Sequence, residues 1–134
     1  MPIFVIFKIK ILPFLFFLPL LLILHLLFTL GIGLFLSYLN VLFRDVTHFL
    51  EVVLMFWFWV TPIFYSVDMV PKSYQWICTL NPMAIFTTMY RNILFEAKFP
   101  RLGEVSAALV ISITVFMLGY VLFAKYESSL IKRI

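Results

Sequence analysis

Residues 11–39 read ILPFLFFLPLLLILHLLFTLGIGLFLSYL, an unbroken run without Asp, Glu, Lys or Arg. An α-helix needs about 20 residues to cross a hydrocarbon core about 30 Å thick, so this run is long enough to span a membrane with residues to spare for tilt. Pro13 and Pro19 fall near its start, where a missing amide donor is best tolerated. Its length and lack of charge predict a membrane-spanning helix and place the rest of the chain in a bilayer context.

Outward from that run, two further apolar stretches follow. Residues 49–65 are interrupted only by Glu51, near the start, and Pro62 is expected to bend or end a helix there. Residues 105–123 carry no charge. Between these two, Ser66–Lys72 reads as a polar exit, and Trp76–Phe95 is apolar but broken by Asn81-Pro82, a dipeptide that stops a helix. The second piece, Met83–Phe95, reaches only about 20 Å at about 1.5 Å per residue, too short to cross. Trp76–Phe95 is therefore read as two short helices that dip into one leaflet and return, against the plainer alternative of an interfacial loop. The expected fold is an all-α integral membrane protein in a single domain. Its spans are about 11–39, 49–65 and 105–123, its re-entrant outer pair about 76–95, its loop 40–48 and its tail 125–134. Met1–Lys10 has no cleavage site of the secretory type and has no placement in this scheme.

Composition agrees. Of 134 residues, 65% are hydrophobic and 12% charged, against about half and about a quarter in soluble domains. The mean hydropathy is +1.15. The net charge of +4 comes from scattered Lys and Arg that form no cationic face, which argues for membrane flanks rather than nucleic-acid binding. With three spans, Lys8, Lys10, Lys72, Arg91, Lys98 and Arg101 fall on one side, and Arg44, Lys125, Lys132 and Arg133 on the other. The count is too close to fix orientation.

Several chemistries lack their residues. There is no G-x-x-x-x-G-K-[ST] phosphate loop, no H-E-x-x-H and no nucleophile elbow. No catalytic residue, metal site or cofactor is expected, and Cys78 has no partner for an internal disulfide. Within the spans only His25 could serve a proton relay, and it is read as a histidine bonded to a neighbouring helix. Gly33/Ser37 and Ala108/Ser112 are small residues four apart that would let helices approach closely.

Three constellations remain. The first is Asn40–Val46, NVLFRDV, where Arg44 and Asp45 either cap the next helix or meet a soluble partner. The second, FWFWVTPIFY at 56–65, is densely aromatic. Trp and Tyr at a span's end normally form an interfacial belt, which these residues favour, although aromatic rings also stack on sugars. The third is Val70-Pro71-Lys72, Trp76, Leu80–Met83 (LNPM) and Tyr90-Arg91.

In order, GIGLFLSYLNVLFRDV, WVTPIFYSVDMVP and LNPM followed by YR resemble the membrane subunit of ABC-2 type exporters, nearest to those for polysaccharide, O-antigen or teichoic acid. The resemblance covers about Leu20–Ile134 and matches the C-terminal half of a six-span family, so a partial chain is expected. It implies a homodimer in the plasma (inner) membrane that binds a separate ATP-hydrolysing subunit and moves a polyprenyl-diphosphate-linked glycan. It places Phe43, Arg44 and Asp45 and the C-terminus on the cytoplasmic side, and the re-entrant pair outside. Trp57, Trp59, Phe64 and Tyr65 become candidates for the channel or gate, and Asn81 and Pro82 for the turn between outer gate helices. Arg91 either meets a phosphate or sugar or anchors in lipid headgroups, the anchor being favoured. Two other readings stand beside this one: an ABC-2 exporter of a drug or lipid, and a transport-inactive structural fragment.

Overall fold

The computed structural model describes residues 14–43, 46–65 and 67–131, so Met1–Lys10, Arg44 and Asp45 lie outside the described residues. A 3-10 turn, Phe14–Phe17, leads into α1 (Leu18–Leu42); α2 is Val46–Val60. A second 3-10 turn at Val67–Met69 precedes α3 (Gln75–Leu80), α4 (Pro82–Leu94) and α5 (Leu102–Ile131). Among the described residues there is no strand. Two stretches, Leu15–Leu42 and Leu102–Lys125, are long and apolar enough to cross a membrane.

Element bounds differ from the sequence reading in ways that have local causes. The expected second span, 49–65, is helical only over Val46–Val60, because Pro62 cannot donate to the ladder. At 15 residues it is about 22 Å long. The expected loop 40–48 shrinks to the few residues between Leu42 and Val46, and much of the expected tail 125–134 continues α5. Across the α1–α2 connection the Thr47 hydroxyl donates to Asn40 Oδ1 at 2.9 Å. The short helices expected within 76–95 are present as α3 and α4, broken at Asn81.

The core forms where α1, α4 and α5 meet. On α1 the buried side is Leu21, Leu24, Phe28 and Gly31, spaced three, four and three residues apart. On α5 it is Ala108, Ser112 and Gly119, four and seven apart. These spacings put each set on one helix face. The two helices run parallel: Leu21 shares a small apolar cavity with Val105, and Gly31 lies against Val115, Phe116 and Gly119. A Cβ on Gly31 would sit 2.6 Å from Phe116 Cα, and one on Gly119 would press on the Gly31 carbonyl oxygen. Backbone therefore touches backbone, the contact that lets helices gain dispersion energy where surrounding lipid removes any hydrophobic drive. Of the two small-residue pairs read from the sequence, Ala108/Ser112 is buried in this seam, and Ser112 Oγ is satisfied by the Ala108 carbonyl at 2.6 Å. The Gly33/Ser37 pair is not; Gly33 faces open space and Ser37 is exposed. Gly31, two residues away, makes the contact instead.

Helix α4 lies antiparallel to α1 and fills the wedge between α1 and α5 with Ala84, Phe86, Met89 and Ile93. Its rings meet those of α1 in order: Phe86 with Phe28 at 5.5 Å between centroids, and Tyr90 with His25. His25 is stacked on Phe86 at 4.8 Å, and its Nδ1 lies 3.2 Å from the Tyr90 hydroxyl. This is the bond to a neighbouring helix read from the sequence. After α4 the chain turns at Ala97, whose φ of 47° is left-handed, so that the Lys98 amide reaches back to the Asn92 carbonyl at 2.9 Å.

Helix α2 is different in kind. None of its residues is buried; Phe49, Met55, Phe56 and Trp59 are each more than 60% exposed. A helix apolar on all sides is matched to lipid or to other protein surfaces, not to water.

Candidate functional site

The end of α2 is built by Thr61-Pro62. Thr61 closes the last turn, its amide donating to the Trp57 and Phe58 carbonyls at 3.0 and 3.2 Å and its hydroxyl to the Trp57 carbonyl at 2.7 Å. Beyond it the ladder stops, and carbonyls that a continuing helix would have satisfied are left over. The Tyr65 hydroxyl donates to two of them, Trp59 O at 3.3 Å and Val60 O at 3.2 Å. Arg91 Nη2, from α4, donates to the carbonyls of Pro62, Ile63 and Tyr65 at 3.2, 3.3 and 3.0 Å. Such outside donors take up the carbonyls that the broken helix leaves over.

The hairpin turn supplies the other half. Asn81 is extended (φ −79°, ψ 113°) and caps α4, its Oδ1 accepting the Met83 amide at 3.1 Å with Pro82 in the first helical turn. The same oxygen accepts the Trp57 indole N–H at 2.9 Å, and Asn81 Nδ2 donates to Thr61 Oγ1 at 3.1 Å. Indole, amide, hydroxyl and the Trp57 carbonyl thus close a ring of hydrogen bonds. Asn81 and Thr61 are 7% and 4% exposed, so the ring is sealed, and no buried side-chain polar atom among the described residues lacks a partner.

The sequence-derived candidates separate into three groups. Trp57 and Asn81 meet directly; Tyr65 and Arg91 converge on the unwound residues 61–65. Trp59 and Phe64 point away, 63% and 80% exposed, each edge-on to Phe58 at 5.9 and 5.7 Å. They line no common cavity with Trp57. Instead Trp57, Val60, Trp76, Ile77, Leu80, Asn81 and Pro82 border an open apolar hollow of about 410 Å³ between α2 and α3. Phe43 is exposed at the far end of α2, about 20 Å away along the helix. The sequence reading omitted Thr61 and Tyr90 as site residues. Thr61 had a signal, a hydroxyl directly before the helix-ending proline, whereas Tyr90 could be matched to His25 only through a contact 65 residues distant. Outside these helices, the Lys98 ammonium donates to Glu96 Oε2 at 2.8 Å and holds that exposed carboxyl below the usual range.

Against known proteins, the ABC-2 type transporter family matches residues 1–95. An O-antigen export system permease protein RfbA of Klebsiella pneumoniae is 37% identical over 78 residues, 58% of this chain and 30% of the relative. One of the same name from Myxococcus xanthus is 30% identical over 97 residues, 71% of this chain and 37% of the relative. The chain spans about a third of the length of these curated relatives. No solved structure matches it. With most of its length covered by the family and its apolar helices arranged as described, the chain belongs to the ABC-2 type transporter family of membrane permeases.

Proposed function

We propose that this chain forms part of the conduit of an ABC exporter that moves a polyprenyl-diphosphate-linked glycan across the plasma membrane. A separate subunit would hydrolyse the ATP, and two copies of the permease would flank the path. The observation that carries this reading is the parallel packing of α1 and α5. If both cross the membrane, the chain must return between them. Helix α2 with its unwound end, followed by the α3–α4 hairpin, is the segment available to do so, which supports three crossings with the hairpin entering from one side. Glycan as cargo is supported by the names of the relatives and by the outward Phe58–Trp59–Phe64 cluster, whose rings suit sugar faces.

In this reading Phe43, Arg44 and Asp45 meet the ATPase on the cytoplasmic side, where the C-terminus also lies, and Asn81-Pro82 marks the outer gate turn. Arg91 keeps the headgroup or phosphate role expected from the sequence only in addition to its carbonyl bonds. Copurification tests the partner: expressed with its candidate ATPase subunit, the chain should retain that subunit in detergent, and loss of association with or without a supplied N-terminal half would sink the reading. Orientation is tested by membrane-impermeant thiol reagents on a Cys78→Ala background, with Ser73→Cys expected to label from outside and Ser129→Cys not.

A further inference from the structure

We infer that Thr61, Asn81 and Arg91 act as a two-point clamp that positions the unwound end of α2, residues 61–65, against the α3–α4 hairpin. The purpose of the clamp, setting the border of the export path, rests on the permease reading; its existence does not.

The main apolar anchor at this end is Pro62, whose side chain is fully buried. Helix α2 has no buried residue, and only Trp57 leans partly on the core. The rest of its fixing is polar and comes from both ends of α4. At one end the Asn81 amide joins Trp57 and Thr61. Ten residues on, about 15 Å along the helix, Arg91 gathers the carbonyls of Pro62, Ile63 and Tyr65. Helix α4 is a firm base, since Ala84, Phe86, Met89 and Ile93 are buried between α1 and α5. At the membrane depth that the permease reading gives this end, these bonds cannot be exchanged for bonds to water, and the clamp is closed unless another donor or acceptor takes over. Phe64, 80% exposed, is thereby held outward next to the clamped residues.

The native Cys78 offers a reporter. It is 5% exposed, on α3, three residues before Asn81. In membranes containing the full permease and its ATPase, N-ethylmaleimide should alkylate Cys78 slowly in the unmodified protein and in Thr61→Ser, which keeps the hydroxyl. Thr61→Val, equal in shape but without it, leaves the Asn81 amide unpaired and should alkylate about tenfold faster. Arg91→Lys should stay near the unmodified rate and Arg91→Met should exceed it. Equal rates for Thr61→Ser and Thr61→Val, or for Arg91→Lys and Arg91→Met, would overturn the clamp. Glycan export by the unmodified assembly is scored separately: its absence would end the permease reading and leave the alkylation contrast to decide the clamp.

Discussion

The α1–α5 seam and the end of α2 are held by opposite means. In the seam, Gly31 and Gly119 let two backbones touch, with Leu21, Leu24, Phe28 and Ala108 closing around them. At the end of α2, the buried Pro62 is joined by hydrogen bonds from Asn81, Tyr65 and Arg91, which supply most of the fixing contacts. The difference follows from the solvent. Lipid gives no reward for burying one more leucine, so helices adhere through close shape or through polar groups that have no other partner. A seam built on shape is indifferent to small changes elsewhere and intolerant of any added atom. An end built on hydrogen bonds keeps its shape under apolar substitution but depends on each donor.

Substitutions can break that contrast, and the largest effect is expected in the seam. Gly119→Leu should destabilise by more than about 3 kcal/mol or abolish folding, because the atom in the way is a backbone carbonyl that cannot move aside. Gly33→Leu, two residues from Gly31 but facing open space, should stay within about 0.5 kcal/mol. Detergent-unfolding curves followed by tryptophan fluorescence would measure both. Next comes the polar end. Asn81→Ala removes a helix cap and orphans the Trp57 indole N–H, for about 2–3 kcal/mol, whereas Trp57→Phe forfeits one donor, for about 1 kcal/mol. The last effect is a gain: Ala97→Gly relieves a left-handed alanine and should stabilise by up to about 1 kcal/mol in the same assay.

Much of this architecture was legible because membrane helices announce themselves by length and lack of charge; α1 and α5 are centred on the two charge-free runs. The break at Asn81-Pro82 and the end of α2 near Pro62 were legible because proline's missing donor is a local property. The seam was not. In a helix apolar all round, periodicity carries no information about which face is buried, so Leu21, Leu24 and Phe28 do not stand out from their neighbours. For the same reason Gly31 and Gly33 looked equivalent, and only the position of α5 separates them. The aromatic run at 56–65 was singled out as one group, but adjacent residues on a helix point in different directions. Trp57 therefore joined the hairpin while Trp59 faced outward. Arg91 looked like a ligand or lipid contact because its carbonyl partners lie 26 to 29 residues earlier in the chain.

The parallel course of α1 and α5 underlies both the seam and the proposed three-crossing permease, and cross-linking tests it most directly. On a Cys78→Ala background, Leu21→Cys with Val105→Cys should form a bond with a short bis-maleimide in membranes, because both side chains border one small cavity. Leu21→Cys with Tyr120→Cys, at the opposite end of α5, should not. Linking of the second pair in place of the first would mean that the helices run antiparallel, and would contradict the fold and the return path drawn from it.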